Sequence, residues 1–305
     1  MDEAKSREYL WSLLGTLPSR DRPISADCLA VFERDGYIVE HLLLELNGIE
    51  PVPAYFTTPK VRTGPLPTVL YNHASGAYEI GKQELLSGRP ALTDPPYGKV
   101  LADLGIQALA IDSWAWGERR GRPESQLAKA MLWQGKSLWG MMVFDSVRAM
   151  DYLITRSDVI PGKIATMGLS MGSTMAWWTA ALDPRIWLTI DLCCLTDFHT
   201  LIEMQGLDGH GLYYYVPGLL QHFSTADINR LIAPRPHLSL NGIYDPLTPE
   251  LGLMRIDKQL CRVYGDMGAS TAWKLFRSST GHFETRAMRR EVIAWLKRWL
   301  LDEID

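Results

Sequence analysis

The sequence predicts an α/β protein in which a mostly parallel sheet is covered by helices on both faces. Short apolar runs alternate with helical stretches over most of its 305 residues, and an antiparallel meander of strands precedes them. Buried strands that alternate with helices are typical of parallel sheets, because the connecting helices cover both faces of the sheet. No repeat or low-complexity linker divides the chain, so we expect a single domain over residues 1–305.

The N-terminal segment is predicted to contain one helix and three antiparallel strands. Apolar side chains share one helical face over residues 5–17, so a helix is expected within residues 1–20, ending before Pro18. Asp-Gly and Asn-Gly dipeptides separate the strand-like runs that follow, and both dipeptides favour hairpins. These runs are Cys28–Glu33, Tyr37–Leu46 and Val52–Thr57.

The rest of the chain alternates between predicted strands and predicted helices. The strands are expected at Thr68–Tyr71, Ala108–Ile111, Lys163–Met167, Trp187–Leu192, His237–Leu240 and Ala272–Phe276. The helices include those expected at 139–156, 172–182, 249–264 and 285–301. Residues 197–232 lie between two of these strands, and we interpret them as a small cap insertion.

Composition and charge exclude several kinds of protein. Apolar residues make up 47% of the chain and charged residues 22%, which is typical of a globular protein rather than a disordered or fibrous one. The formal net charge is −4, from 31 basic and 35 acidic residues. A nucleic-acid partner would favour a basic stripe, so we expect none.

The chain has the features of a cytoplasmic protein without a membrane partner. Its start is acidic before it becomes apolar, unlike the basic region and long apolar stretch of a signal peptide. The uncharged residues 164–182 contain glycines, serines and threonines, and we interpret them as a buried strand, turn and helix. The four cysteines lack paired spacing, and adjacent Cys193 and Cys194 are interpreted as thiols of the core.

The most informative segment is the motif G-x-S-x-G at 168–172, which follows a predicted buried strand and precedes an apolar helix. In this arrangement a serine can occupy a strained turn, because the flanking glycines avoid side-chain clashes. The hydroxyl of Ser170 would then project above the sheet at a helix N-terminus, where developing negative charge is stabilised. We therefore predict that Ser170 is a nucleophile. The alternative is a plain glycine-rich turn without a chemical role.

A serine nucleophile needs a base, and the base needs a group that orients it. Asp245 follows the predicted strand His237–Leu240, and His282 follows the last predicted strand. Both would lie just past strand C-termini, where open α/β sheets have their sites. We predict Asp245 as the acid and His282 as the base. A turn or capping role for Asp245 and a structural role for His282 are the alternatives, and Asp191 is the competing acid.

Two backbone N–H groups are needed to stabilise the oxyanion that forms when a serine attacks a carbonyl group. One is expected from Met171, the residue after the nucleophile, and the other from the loop after the run Thr68–Tyr71. In that loop we favour Ser75, with a capping role in a structural turn as the alternative. The remaining histidines show no regular metal-ligand spacing, so neither a metal site nor a cofactor is predicted.

With its Ser, Asp, His order, the chain resembles the α/β-hydrolase superfamily and is similar to the dienelactone-hydrolase and acetylxylan-esterase-like branch. The resemblance runs from about residue 52 to residue 300 and includes Ala110–Arg119, Gly211–Gly218 and Leu231–Pro236. It implies a serine hydrolase of small acyl esters that acts through an acyl-enzyme. Dienelactone hydrolases use a cysteine nucleophile, so Ser170 favours an esterase. The family pattern has His-Gly where this chain has His73-Ala74, which leaves the second oxyanion donor open.

Aromatic and basic residues near the predicted site have two interpretations. Trp114 and Trp116 follow a strand end, and Tyr214 lies in the predicted cap. These three either wall a substrate pocket or pack the cap against the core. The basic run 119–122 is interpreted as a solvated loop rather than a site for an acidic substrate. A peptidase or thioesterase with the same triad and a non-catalytic binding protein are the alternative functions, and a homo-oligomer is left open.

Overall fold

The centre of the protein is a nine-stranded sheet within residues 2–301, the part of the chain that this computed structural model describes. Its strands are β1 (Ser25–Arg34), β2 (Tyr37–Glu45), β3 (Val52–Pro59), β4 (Leu66–Asn72), β5 (Gln107–Ile111), β6 (Val159–Leu169), β7 (Leu188–Leu192), β8 (His237–Gly242) and β9 (Trp273–Ser278). They form hydrogen bonds in the order β1-β2-β3-β5-β4-β6-β7-β8-β9.

Helices cover both faces of this sheet. They are α1 (Glu3–Ser12), α2 (Glu84–Ser87), α3 (Tyr97–Asp103), α4 (Glu124–Trp133), α5 (Leu138–Thr155), α6 (Met171–Leu182), α7 (Phe198–Glu203), α8 (Thr225–Arg230), α9 (Glu250–Asp266) and α10 (Arg286–Leu296). Neighbouring residues of one strand, such as Val69 and Leu70, belong to separate apolar clusters on opposite faces. No helix within residues 2–301 has both the length and the apolar character needed to cross a membrane.

The first three strands form an antiparallel meander, as the hairpin dipeptides predict. Arg34 of β1 is paired with Tyr37 of β2, so a two-residue turn joins these strands, and β2 pairs with β3. Gly36 in this turn has a φ of 86°, which glycine adopts without strain. β1 lies at the edge of the sheet and nearly all of its residues are exposed, so it adds little to the core.

The other six strands are parallel to one another, which confirms the predicted mostly parallel sheet. β5, β4, β6, β7, β8 and β9 pair in parallel registers, and β3 joins them through an antiparallel pairing with β5. Parallel pairing brings the C-terminal ends of β4, β6, β8 and β9 to one edge of the sheet. The loops at this edge contain the predicted site residues, in agreement with the usual location of sites in open α/β sheets.

The first helix is shorter than the apolar pattern predicts. It ends at Ser12, whereas the pattern extends to residue 17. The chain turns at Gly15, where φ is 94°, and Thr16 N donates to Gly135 O at 2.8 Å. Leu14 remains completely buried after the helix has ended. Because burial continues past the end of the helix, the apolar spacing alone overestimates its length.

The predicted cap, residues 197–232, lies between β7 and β8. It consists of α7, several short 3-10 turns and α8. Tyr213 N in the cap donates to Glu124 Oε1 of α4 at 2.7 Å, and the Tyr213 ring packs edge-on against Trp116 with centroids 5.5 Å apart. These contacts hold the cap on the loops that surround the site edge of the sheet.

The substitution Leu14→Ala should destabilise the protein, because it deletes a fully buried side chain that packs beside the N-terminus of α5. We expect the free energy of unfolding to fall by about 2–5 kcal/mol, measured by urea denaturation. Leu29→Ala is the control, since Leu29 on β1 is 53% exposed. Its effect should stay below about 0.5 kcal/mol. Equal losses for the two variants would contradict the packing of Leu14.

Candidate active site

Ser170 lies on a sharp turn between β6 and α6. Its backbone has a φ of 58° and a ψ of −117°, which is a strained conformation for a residue with a side chain. The Ser170 N–H donates to Leu192 O at 2.8 Å, so the end of β7 holds the turn. The next residue, Met171, is the first of α6. The half-buried serine is therefore placed at the positive end of a helix dipole.

The two glycines of the motif allow β4 to approach this turn. A Cβ atom on either Gly168 or Gly172 would collide with the carbonyl oxygen of Asn72. Neither glycine has a positive φ, so both are required for space rather than for conformational freedom. Asn72 Nδ2 also donates to Thr166 Oγ1 at 3.0 Å and to Met167 O at 3.2 Å. The end of β4 is thus held against β6 beside the turn at Ser170.

His282 and Asp245 form a hydrogen-bonded pair on the loops after β9 and β8. His282 Nδ1 and Asp245 Oδ2 are 2.7 Å apart. Asp245 is only 4% exposed, and its Oδ1 accepts from Leu247 N at 2.9 Å. Tyr244 N donates to Thr280 O at 3.0 Å, which joins the two loops. The carboxylate is therefore fixed in place and orients the imidazole ring.

The environment of His282 favours its protonated form. Burial lowers the pKa of His282, but the hydrogen bond and negative charge of Asp245 outweigh burial and raise it above the ordinary value. Because Nδ1 donates to the carboxylate, Nε2 is the acceptor of the neutral ring. Nε2 is buried and has no hydrogen-bond partner within residues 2–301, Ser170 Oγ included. Hydrogen bonds between a nucleophile and its base are often long in an enzyme without substrate and shorten in the complex.

Asp191, the competing acid, belongs to a different buried network. Its Oδ2 lies 2.6 Å from His237 Nε2, and its Oδ1 accepts from Ser239 Oγ at 2.8 Å. Asp191, His237 and Ser239 are all 0% exposed within the sheet. Both carboxylate oxygens of Asp191 thus bond to side chains within the sheet, which indicates a structural role. The geometry therefore favours Asp245 as the partner of His282.

The loop after β4 contains the second predicted oxyanion donor. Ala74 N donates to Glu84 Oε2 at 3.1 Å, so this N–H is already occupied. In the described part of the chain, the N–H groups of Ser75 and Met171 have no hydrogen-bond partner. The two predicted donors are thus free to bind an oxyanion. On the other side of the loop, the buried His73 accepts from Ser113 N at 3.0 Å through Nε2.

Two of the aromatic residues predicted to bind substrate lie in a buried aromatic cluster beside this loop. Trp116 is 0% exposed, and its ring centroid is 5.2 Å from that of Tyr78 and 5.5 Å from that of Tyr213. Tyr214 stacks on His210 with centroids 4.7 Å apart. The phenol oxygen of Tyr214 is buried, and among residues 2–301 it has no hydrogen-bond partner. An unpaired buried hydroxyl is costly unless it binds water or a ligand.

The interpretation of the basic run 119–122 as a solvated loop is wrong for Arg119. Its side chain is buried, and it donates to Asp145 Oδ2 and to Glu50 Oε1 at 2.8 Å each. The guanidinium lies 4.4 Å from the ring of Trp114, which is itself 2% exposed. These partners are distant in the sequence, so charge spacing alone did not reveal them. The contacts of Trp114 indicate packing around this ion-pair network rather than a wall of the pocket.

Two further kinds of reactive site, a reactive thiol and a metal site, can be assessed within residues 2–301. All four cysteines are free thiols, and Cys193 and Cys194 are buried as predicted. Burial raises the pKa of both thiols, so they stay protonated and unreactive at neutral pH. Within residues 2–301, no group of three or more histidine, cysteine or acidic side chains is arranged to hold a metal ion.

Comparison with known proteins identifies a relative over nearly the full length of the chain. The chain is 52% identical over 298 residues to a protein of Bacillus subtilis (strain 168) described as "Putative hydrolase YtaP", with 97% of this chain and 99% of that protein covered. The chain belongs to the YtaP family of hydrolases. It matches no established family profile.

Solved structures share the α/β-hydrolase fold of this YtaP-family member. A protein of Bacteroides fragilis NCTC 9343, described as "a putative acetyl xylan esterase", has a TM-score of 0.72 and 18% identity, with 98% of this chain and 82% of that chain covered. The glucuronoyl esterase of Solibacter usitatus has a TM-score of 0.68 and 14% identity, with 96% and 91% covered. The fold that the sequence resemblance implies is therefore confirmed.

The substitution Gly172→Ala should destabilise the nucleophile turn, because its methyl group would collide with the Asn72 carbonyl. We expect a loss of about 1–3 kcal/mol in the free energy of unfolding, measured by chemical denaturation. Gly162→Ala is the control, since Gly162 lies on the same strand β6 and a Cβ there meets nothing within 4 Å. Similar stabilities for the two variants would contradict the proposed close approach.

Proposed function

We propose that the protein is a serine carboxylesterase that hydrolyses small acyl esters through a triad of Ser170, His282 and Asp245. The observation that carries this proposal is the left-handed backbone of Ser170 at the start of α6, combined with the His282–Asp245 pair on the loops after β9 and β8. A strained turn that presents one hydroxyl at a helix N-terminus suits an acyl-transfer nucleophile. Membership of a hydrolase family supports the same class of reaction.

The first half of the reaction forms an acyl-enzyme. Ser170 Oγ attacks the ester carbonyl carbon while His282 Nε2 takes the hydroxyl proton. Asp245 accepts the Nδ1–H bond and stabilises the imidazolium by its charge. His282 then gives this proton to the leaving alcohol oxygen as the C–O bond breaks. In the second half, His282 deprotonates a water molecule that attacks the acyl carbon, and Ser170 regains its proton.

Negative charge on the substrate carbonyl oxygen is stabilised by the N–H groups of Met171 and Ser75. Both groups are free of other hydrogen bonds within the described residues. Donors that are already oriented need no reorganisation as charge develops, so they stabilise the transition state more than the bound ester. Loss of one such donor typically costs about 3–4 kcal/mol of this stabilisation.

Trp116 and Tyr214 are proposed to border the acyl or alcohol pocket. Trp116 is close to the oxyanion loop, with its ring centroid 6.3 Å from that of His73. The unpaired phenol of Tyr214 can donate to a substrate oxygen or to an ordered water molecule. Solved esterases of the same fold, among them the glucuronoyl esterase, support a small ester as the substrate.

We extend the proposal to the organisation and location of the protein. One sheet bears all three triad residues, which supports a single domain over 1–305 with the cap at 197–232 as an insertion. The free thiols suit the reducing cytoplasm. The partner is a small-molecule ester rather than a nucleic acid or a membrane, and the exposed edge strand β1 offers a surface for a homo-oligomer.

A fluorophosphonate should label Ser170 in the folded protein, and Ser170→Ala should remove both the label and at least about 10³-fold of the esterase activity. Peptide mass spectrometry locates the adduct, and a panel of acetyl, butyryl and octanoyl p-nitrophenyl esters, thioesters and amides measures the activity. Equal labelling of wild type and Ser170→Ala would contradict the proposed nucleophile. Preference for amides would replace the esterase with a peptidase.

The substitution Asp245→Asn should lower kcat by about 10²–10⁴-fold and move the acidic limb of the pH profile to lower pH. Asp245 raises the pKa of His282, and the reaction needs the neutral imidazole. Without the carboxylate, the ring stays neutral at lower pH. Rates of ester hydrolysis across the pH range measure both effects. Asp191→Asn is the control and should leave the midpoint in place; an unchanged rate for Asp245→Asn would contradict the assigned acid.

A further inference from the structure

Two buried glutamates near the proposed site each pair with an arginine five positions further along the chain. Glu84 pairs with Arg89, and Glu284 pairs with Arg289. The side chains of both glutamates are 0% exposed. The triad mechanism uses neither pair, and a buried ion pair is costly unless its remaining donors and acceptors are satisfied. Each pair makes further hydrogen bonds with loops of the proposed site.

The Glu84–Arg89 pair holds the backbone of the loop after β4. Glu84 Oε2 accepts the N–H of Ala74 at 3.1 Å. Arg89 donates to Ser75 O at 2.7 Å and to Ala74 O at 3.2 Å. One bond therefore holds the peptide group between Ala74 and Ser75. The other two hold the peptide groups directly before and directly after it.

The peptide unit between Ala74 and Ser75 is the one whose N–H is proposed to bind the oxyanion. Its carbonyl oxygen faces Arg89 and lies 2.9 Å from His73 Nδ1. Because a trans peptide is planar, its C=O and N–H point in opposite directions. Binding of Ala74 O by Arg89 therefore directs the Ser75 N–H to the opposite side. Among residues 2–301, nothing bonds that N–H there.

The Glu284–Arg289 pair holds the loop that contains His282. Arg289 donates to both carboxylate oxygens of Glu284 at 2.7 Å. The same carboxylate accepts from Thr93 N at 2.9 Å and from Tyr97 OH at 2.5 Å. Arg289 also donates to Thr93 O at 2.7 Å. The chain two residues after the proposed base is thus fastened at several points.

Residues 84–97, which we call the strap, connect the two pairs. Tyr71 OH donates to Glu84 Oε1 at 2.8 Å, and its ring lies 5.8 Å from the ring of Tyr97. Tyr97 in turn bonds Glu284. Burial, with the charge of the neighbouring glutamates, raises the pKa of both tyrosines, so their hydroxyls remain donors. The strap therefore contacts both the oxyanion loop and the His282 loop through buried, directional bonds.

We infer that the strap aligns the proposed oxyanion donor Ser75 with the proposed base His282, and that the two glutamate–arginine pairs it connects contain positioning residues. The inference rests on the proposed esterase function. A misplacement of about 1 Å in such a site can cost roughly 10²-fold in rate. The four side chains bond to each other, to the backbone and to the hydroxyl groups of Tyr71, Thr93 and Tyr97, and none is proposed to contact substrate. Their loss should therefore lower kcat while leaving KM nearly unchanged.

The substitution Glu84→Gln tests the first pair. The amide keeps the size of the carboxylate but lacks the charge that holds Arg89, so the Ser75 N–H loses its fixed direction. We expect kcat for p-nitrophenyl acetate to fall about 10–100-fold with KM within about twofold of wild type. The rate of fluorophosphonate labelling of Ser170 should fall in parallel, because phosphonylation also places charge in the oxyanion site. The acidic limb of the pH profile should not move.

The substitution Glu284→Gln tests the second pair and should give a different pH response. It weakens the bonds between Arg289 and position 284, so the loop that contains His282 is held less firmly. The hydrogen bond between His282 and Asp245 should weaken as a result. Because that bond raises the pKa of His282, the acidic limb should shift to lower pH as kcat falls. A pH shift for Glu284→Gln without one for Glu84→Gln distinguishes positioning from a general loss of stability.

Glu40→Gln is the matched control. Glu40 on β2 binds Arg156 through both carboxylate oxygens at 3.0 Å. β3 and β5 separate β2 from β4, and Arg156 precedes the N-terminal end of β6, whereas the two loops follow the C-terminal ends of β4 and β9. This substitution should leave kcat within about twofold of wild type, whatever its effect on Tm. A kcat for Glu84→Gln that matches that of Glu40→Gln would overturn the inference.

Two further outcomes keep the test decisive. Should Glu84→Gln fail to fold, Tyr71→Phe replaces it, since it removes one hydrogen bond to Glu84, and an unchanged kcat in that variant would also overturn the inference. A wild type that hydrolyses no ester and is not labelled at Ser170 would overturn the proposed function together with the strap. An active wild type with an unaffected Glu84→Gln would overturn the strap alone.

Discussion

The close approach of β4 to the turn at Ser170 constrains the geometry of the candidate site. The carbonyl oxygen of Asn72 occupies the space that side chains at Gly168 and Gly172 would need. The residues directly after Asn72 form the loop that contains Ser75. The loop with the proposed oxyanion donor thus begins at the contact that requires two glycines. One steric constraint decides both which residues can form the motif and where this loop begins.

Buried ion pairs lie on or beside the loops at the site edge of the sheet. Glu84 and Glu284 each pair with an arginine, and Asp112 pairs with the buried Lys82 at 2.8 Å. Apolar packing is non-directional, so it stabilises the fold without orienting a particular peptide group. Charge-assisted hydrogen bonds have both direction and short range, and they offset the cost of burying the ions. The apolar core thus stabilises the domain, while the ion pairs fix the directions of particular groups in the loops of the candidate site, as the proposed positioning role requires.

Local patterns in the sequence predicted the architecture. The errors concern residues whose surroundings are formed by segments far away in the chain. Hairpin dipeptides predicted the first three strands of the described sheet, and the alternation of strands and helices predicted the other six. The apolar spacing overestimated α1, because Leu14 is buried by packing beyond the helix end. Arg119 was misinterpreted, because its partners Asp145 and Glu50 are far from it in the chain. The equal spacing of the two glutamate–arginine pairs was present in the sequence, but spacing alone does not predict pairing.

By itself, the sequence determined the α/β architecture, the strained turn at the motif serine and the loops in which an acid and a base could follow. It could do so because periodicity and turn chemistry act between residues that are close in the chain. Only the tertiary structure decided that Asp245 rather than Asp191 bonds His282, and that the N–H of Ser75 rather than that of Ala74 is free. Asp191 and the N–H of Ala74 already form hydrogen bonds with groups that are far away in the chain. Residue type and spacing do not reveal such partners.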